Sequence, residues 1–266
     1  MVQSYSTAGF YVARGLLGQR EVEMITDAFV EMHDRGGVTG YYSIEPEGLD
    51  QGFLHPETAA DPLSLWPRVM HPHRFMPIAQ RYLLDARILG ILRLLVGEDV
   101  LAAQSMFYFK PPGARGQAWH QDNFYLRVSP GTCIAAWIAI DPSDEDNGGL
   151  QVIPNTQRFA VACPERSDPS LSFASELVPP PAGVEPVQLQ LGQGDVLFFN
   201  GSVIHGSTPN RSTSRFRRSL INHYVGKSCL ELSDWYLPLV DPDGNDTFRP
   251  VAQGGGPCGD AFPGPH

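Results

Sequence analysis

The chain is short of charge, short of cysteine and free of long apolar runs, and each shortage excludes something. Charged residues are 18% of its 266 residues, and acidic ones outnumber basic ones to a formal net charge of -10. A surface of that sign repels nucleic acid and anionic membranes, so neither is expected as a partner, although one basic pocket would be compatible with it. No run of 18 apolar residues occurs, so no membrane span is expected. The four cysteines, Cys133, Cys163, Cys229 and Cys258, form no CxxC pair. In a chain of this length they do not read as a disulfide framework, and they are expected as reduced thiols. The opening MVQSYSTAGF lacks the basic and then apolar pattern of a secretory signal, which places the expected protein in the cytoplasm. What is present is 42% hydrophobic residues, enough for a soluble globular protein with a sizeable core.

The two halves of the chain differ in texture. Within residues 15–36, Val22, Ile25, Phe29 and Met32 recur at helical spacing before Gly36, which predicts an amphipathic helix. Residues 76–99 predict two more helical stretches that part near Asp85, the second carrying Ile88, Ile91, Leu92, Leu94 and Leu95. After residue 100 the segments QSMFYFK (104–110), TCIAAWIAID (132–141), GLQVI (149–153), PVQLQL (186–191), DVLFFN (195–200) and RSLINHYV (218–225) are short and rich in β-branched or aromatic residues. The turn formers PPG, DNGG, GQGD and NRSTS separate them, the pattern of a sandwich, jelly roll or barrel. Residues 163–184 show no period and predict a long loop. Residues after 241 are rich in Gly and Pro and predict an irregular tail. No linker divides the chain. The expectation is a single domain over 1–266: a helical part to about 100, a mostly antiparallel β core over about 101–230, and the tail.

WHQDNFYL (119–126) places His120 and Asp122 one residue apart on an apparent strand, where side chains at i and i+2 share a face. The pair reads either as surface polar residues or as two thirds of a two-histidine, one-carboxylate metal site, which leaves coordination positions open for other ligands. The third ligand must come from elsewhere among His33, His55, His71, His73, His205, His223 and His266. His205 closes a strand and is followed by glycine, well placed for a pocket mouth. His223 alternates with Ile221 and Ser219 and faces the same interior at greater depth. HGSTPNRSTSRFRRSLINHYV also carries Arg211, Arg215, Arg217 and Arg218. An arginine fork grips a carboxylate with two bonds. Arg211 and Arg215 read as a solvated turn, and since neighbours on a strand face opposite ways, at most one of Arg217 and Arg218 serves the pocket.

GFYVARGLLGQREVEMI, QSMFYFKPPG, WHQD, IAAWIAIDPSDEDNGGLQVIPNTQ, GDVLFFNGSVIHGSTPNRS and FRRSLINHY occur in an order that resembles the phytanoyl-CoA dioxygenase family of Fe(II)/2-oxoglutarate-dependent oxygenases, over most of the chain. The resemblance implies a mainly β fold with flanking α-helices around a double-stranded β-helix, the jelly-roll or cupin-like core. It implies His120, Asp122 and His205 as iron ligands, and Arg217 as the grip on the distal carboxylate of 2-oxoglutarate. Ser207, Trp137 and Met106 fall where relatives line the co-substrate pocket. A further basic or polar residue is expected among Arg68, His71, His73 and Arg74. Where relatives read PGSH this chain has Pro154, Asn155, Thr156 and Gln157, so no histidine acts there. Gln121, Phe124 and Tyr125, beside the ligands, are candidate substrate contacts, and residues 38–75 and 163–184 are candidate lids. The implied reaction consumes O2 and 2-oxoglutarate, releases succinate and CO2, and oxidises an unactivated C–H of a small molecule. The Asp122 carboxylate argues against halide transfer. Without a basic patch beyond the arginine cluster, a free metabolite, such as a secondary metabolite or amino-acid-like compound, fits better than a CoA thioester. Two readings compete: a cupin-like isomerase or hydrolase that needs no 2-oxoglutarate, and a non-catalytic binding protein of the same fold.

Overall fold

The computed structural model describes residues 1–38, 42–43, 68–254 and 256–259. Most of the first candidate lid, together with His55 and His266, lies outside the described residues.

The helical periodicity of 15–36 and 76–99 becomes α2 (Gln19–Asp34), α3 (Pro77–Leu83) and α4 (Ala86–Val96), and a short helix that no periodicity announced, α1 (Val2–Ala8), precedes them. Val22, Ile25, Phe29 and Met32 are the buried stripe of α2. The chain parts between α3 and α4 at Asp85, whose carboxylate caps α4 by accepting from the Arg87 backbone N–H. Leu94, expected on the buried face, is 59% exposed, because Ile88 and Leu92 already fill the contact stripe. Between the helices run β1 (Phe10–Ala13), the small ladder of β2 (Gly37–Val38) with β3 (Tyr42–Ser43), and β4 (Arg68–Met70).

The second part supplies β5 (Val100–Tyr108), β6 (Gln117–His120), the short helix α5 (Asp122–Leu126), β7 (Ile134–Ala139) and β8 (Leu150–Val152). There follow β9 (Glu165–Arg166), β10 (Glu176–Leu177), β11 (Val187–Gln188), β12 (Val196–Asn200), β13 (His205–Ser207), β14 (Ser219–Gly226), β15 (Leu239–Val240) and β16 (Asp246–Thr247). Two antiparallel sheets result. The larger has the order β1-β12-β7-β14-β5-β15-β16, with β4 also on β5, and the smaller has β11-β8-β13-β6. This is the jelly-roll arrangement in which two sheets face each other.

Alternation along the strands of the large sheet sorts its side chains into two layers. Phe107, Ile138, Phe198 and Leu220 pack outward against α2 and α4, with Phe29 stacked on Phe107 at a centroid distance of 3.9 Å. Met106, Trp137, Phe199 and Ile221 point inward with Leu150 and Val152 of the small sheet. Both faces of β5 are buried, and it reads as a near-continuous apolar run.

Three expectations are corrected. The strand expected over 186–191 is only Val187–Gln188, because Leu191 leaves the small sheet to bridge Ser143. The loop 163–184 carries its own ladder, β9 with β10, and is tied along β6 by backbone bonds from Gly116 to Leu171 and from Val178 to Trp119. The exposed edge of β6 attracts such pairing. The cysteines are not all reduced. Cys163 and Cys258, 95 positions apart, are joined as a disulfide, while Cys133 and Cys229 are buried thiols. No spacing motif announces a bond that forms only because the tail folds back onto the loop. Such cross-links persist in oxidising surroundings, so the cysteines lend no support to a cytoplasmic location. No helix among the described residues is long and apolar enough to cross a membrane.

Candidate active site

β6 and β13 are paired so that His120 stands directly opposite His205. Their rings are 4.2 Å apart. Asp122 does not continue the strand as the HxD spacing implied. Gln121 keeps extended backbone, and Asp122 then opens α5, so its side chain still returns to the side of His120. One donor atom from each of His120, Asp122 and His205 lies within 4.8 Å of the others, and all three residues are buried. Among the described residues this is the one group of such side chains able to hold a metal ion.

The two imidazoles are oriented identically. Each donates from Nδ1 to the carbonyl two residues before it, His120 to Ala118 at 2.8 Å and His205 to Val203 at 3.0 Å. That fixes the tautomer and leaves both Nε2 lone pairs facing Asp122 Oδ1, each at 3.5 Å. The other carboxylate oxygen, Oδ2, accepts from His223 Nε2 at 3.0 Å. Burial pushes the Asp122 carboxyl up, but the neighbouring His205 and His223 and the bond that His223 donates outweigh it and hold it well below the usual range. Burial drives the His205 imidazole down to about 4. Two neutral imidazoles and one carboxylate are the donor set a divalent iron accepts.

The triad opens onto a cavity of about 460 Å³, its mouth included. Met106, Trp137, Ser207 and Arg217 line it, as do Tyr108, Gln117 and Phe173. Arg217 is 4% exposed, bonds Ser219 Oγ at 3.1 Å and lies 5.4 Å from the Trp137 ring centroid. Its Nε is buried with no partner, and burial lowers its pKa to about 10. A buried guanidinium with an unused N–H, facing a metal-donor triad across a cavity, fits the far carboxylate of a dicarboxylic acid. Arg218 points the other way and grips Asp141 with two bonds of 2.8 and 2.7 Å. Arg215 pairs with Asp144 at the surface.

Gln121, Phe124 and Tyr125 are not on the cavity wall. The Gln121 amide is spent on the backbone of Ala162 and Ser202. Phe124 and Tyr125 pack in the layer behind His120, where the Tyr125 hydroxyl donates to Glu176. The helical turn at Asp122 carries Phe124 off the face that strand alternation would have shared with His120 and Asp122. Of the four basic candidates near residue 70, Arg68 stands opposite cavity-lining Tyr108, its guanidinium 5.7 Å from the Phe173 ring. His73 is turned to Ser105 Oγ at 2.6 Å, and Arg74 reaches the Leu237 carbonyl.

Sequence reasoning gave no role to Lys110, which is 1% exposed. Its Nζ donates to the Gly148 and Thr208 carbonyls and to Ser207 Oγ, at 2.9, 2.7 and 3.0 Å. It thereby sets the cavity-lining Ser207 relative to the DNGG turn. Gly148 must be glycine, with φ +72 and the place of a Cβ only 2.5 Å from the Thr208 carbonyl oxygen. The available signal was a lysine ending an apolar strand in a chain with only two lysines.

A family model described as phytanoyl-CoA dioxygenase (PhyH) matches residues 5–219. Phytanoyl-CoA dioxygenase 1 of Oryza sativa subsp. japonica is 29% identical over 173 residues, 64% of this chain and 61% of that protein. The ectoine dioxygenase of Bordetella bronchiseptica is 28% identical over 232 residues, covering 79% and 70%. Among solved structures, EctD from S. alaskensis, with 2-oxoglutarate and 5-hydroxyectoine, superposes with a TM-score of 0.65 at 19% identity, covering 96% and 86% of the chains. The chain spans about half to three fifths of the length of the first curated relatives it matches.

Proposed function

The chain belongs to the phytanoyl-CoA dioxygenase (PhyH) family, and from that premise we propose that it is an Fe(II)- and 2-oxoglutarate-dependent oxygenase acting on a C–H bond of a small organic molecule. One observation carries the reading: the converging atoms of His120, Asp122 and His205 share a cavity with the buried, partly unpartnered guanidinium of Arg217.

His120 and His205 offer Nε2 to the iron, their Nδ1 atoms being anchored on the backbone. Asp122 offers Oδ1 while His223 holds Oδ2. Arg217 and Ser207 grip the far carboxylate of 2-oxoglutarate, and Met106 and Trp137 wall its carbon chain. When bound, iron, 2-oxoglutarate and O2 supply the oxidation: 2-oxoglutarate becomes succinate and CO2 with one oxygen atom, and the other is delivered to the substrate. The apolar lining of Phe199, Leu150 and Ile221 keeps water from the reacting atoms.

Succinate formation under air tests this. It should require added Fe(II) and 2-oxoglutarate and vanish in His205→Ala. Activity on a substrate that persists without 2-oxoglutarate would favour an isomerase or hydrolase instead.

A further inference from the structure

The Cys163–Cys258 bond joins two surface segments, and both of its cysteines are exposed. The other two thiols, Cys133 and Cys229, are buried, and burial pushes both above the usual thiol range. Thiol–disulfide exchange needs a thiolate and a path to sulfur, so the exposed bond is open to it and the buried thiols are not. Redox chemistry on the cysteines is thereby confined to one pair.

What that bond joins lies beside the metal ligands. Cys163 begins the 163–184 loop, and the N–H of Ala162 just before it donates to Gln121 Oε1 at 2.9 Å. Gln121 stands between His120 and Asp122 and is the N-cap residue of α5. Further along, the same loop gives Phe173 to the cavity wall and Glu176 to the Tyr125 hydroxyl.

The tail meets the other end of the same helix. The Gln253 and Gly254 carbonyls accept from Arg127 Nη2 at 3.2 and 2.6 Å, and Arg127 is the C-cap residue of α5. A Cβ placed on Gly256 would lie 3.9 Å from the Phe124 ring. The loop therefore holds one end of α5, the tail holds the other, and the disulfide ties loop to tail.

The helix so held is only five residues long, and Asp122 is its first residue. A helix that short has little stability of its own and depends on what packs around it. The tether is also the main one at the tail's end. Among the described residues, 256–259 make one backbone hydrogen bond, from Gly259 to Gly256, and it stays within the tail.

We propose that Cys163–Cys258 is a reversible redox modification site that controls metal retention by fastening the tail and the 163–184 loop around α5. Oxidised, it keeps Asp122 in place; reduced, it frees the tail and loosens the helix that carries this ligand. The co-reactant is a small dithiol. One of its thiolates attacks one sulfur of the bond, giving a mixed disulfide and releasing the other cysteine. Its second thiol then displaces the remaining cysteine, and the dithiol leaves as a cyclic disulfide. Two electrons and two protons pass to the protein, which ends with two thiols. The proposal rests on His120, Asp122 and His205 being the metal ligands.

The test uses the full chain, oxidised or treated with dithiothreitol that is removed anaerobically before metal is added. Three quantities are read: thiols alkylated in the folded chain, hydrogen exchange of residues 121–127, and Mn(II) affinity by titration. The oxidised chain should show no alkylation, and the reduced chain two modified thiols, at Cys163 and Cys258. Reduction should speed exchange in α5 by at least about tenfold, the mark of a local opening. Mn(II) affinity should fall by about three- to tenfold, less than the 10- to 100-fold typical of losing a group bonded directly to a ligand. Reoxidation with glutathione disulfide should restore all three. Cys258→Ser, a change at an exposed position, should show the reduced exchange rate and affinity with or without dithiothreitol. The proposal is overturned if dithiothreitol leaves the bond intact in the folded chain, or if a third thiol reacts. It is also overturned if reduction changes neither exchange nor affinity, if it unfolds the whole chain, or if reoxidation does not reverse it. An oxidised chain that binds no Mn(II) would instead defeat the metal-site reading, and the redox control with it.

Discussion

Replacing Arg217 by Met removes the one arginine or lysine that, among the described residues, lines the metal-facing cavity. Its guanidinium has an unpartnered Nε and bonds one serine hydroxyl, so at least two N–H groups are available for a carboxylate. A hydrogen bond to a charged group contributes about 1.5–3 kcal/mol, and 1.4 kcal/mol is tenfold in affinity. Losing two should weaken 2-oxoglutarate binding by at least about a hundredfold. Without 2-oxoglutarate the sign reverses. Arg217 is a buried cation with no carboxylate in ion-pair distance among the described residues, and burying a charge unpaired is destabilising. Arg217→Met should therefore melt at or above the wild-type temperature when ligand-free. The assay is melting temperature against 2-oxoglutarate concentration with Mn(II) present, from which the dissociation constant follows by linkage. Arg218→Met is the control. It breaks a largely buried, bidentate pair with Asp141, which should cost about 1 kcal/mol of stability or more, and should leave 2-oxoglutarate affinity within about twofold. A large affinity loss in Arg218→Met, with Arg217→Met unaffected, would refute the placement of the two arginines.

Three further outcomes are expected. His223→Ala frees Asp122 Oδ2 and should weaken Fe(II) or Mn(II) binding by about 10- to 100-fold, read by anaerobic titration; unchanged affinity would show that Asp122 needs no such support. The Glu21 carboxyl is held at about 2, below its usual 4.5, chiefly by its bond from Arg87. A depressed folded pKa contributes stability that is present above about 4.5 and lost as pH falls toward 2, so denaturation curves of Arg87→Met should show a shallower decline over that window, and an identical decline would remove the pair from the account. Alkylation of the unreduced, denatured chain should modify two thiols, those of Cys133 and Cys229, and Cys163→Ser should expose the tail to faster proteolysis. Four modified thiols would contradict the Cys163–Cys258 bond.

The helices were legible because Val22, Ile25, Phe29 and Met32 face one core, and a 3.6-residue period survives in one dimension. The core strands were legible by their composition and turns. His120 and Asp122 were legible as a pair because two positions of extended chain return a side chain to the same side. The outer candidates leave the cavity wall for a local reason. Phe124 and Tyr125 adjoin the ligands in sequence, but α5 turns them into the layer behind His120.

The sequence by itself thus determined the main helices and core strands, the candidate donor residues and, through ordered motifs, the family. Tertiary structure alone decided which distant groups meet. His205 lies opposite His120 because β13 pairs with β6, and His223 reaches Asp122 across 101 positions because the two sheets face each other. Arg217 rather than Arg218 enters the cavity because the strand's register turns only one of them inward. The Cys163–Cys258 bond exists because the tail returns to the loop. Each of these is a contact between residues far apart in the chain. Local spacing constrains a residue's neighbours within a turn or a strand, but not the partner that packing brings from the far side of the core.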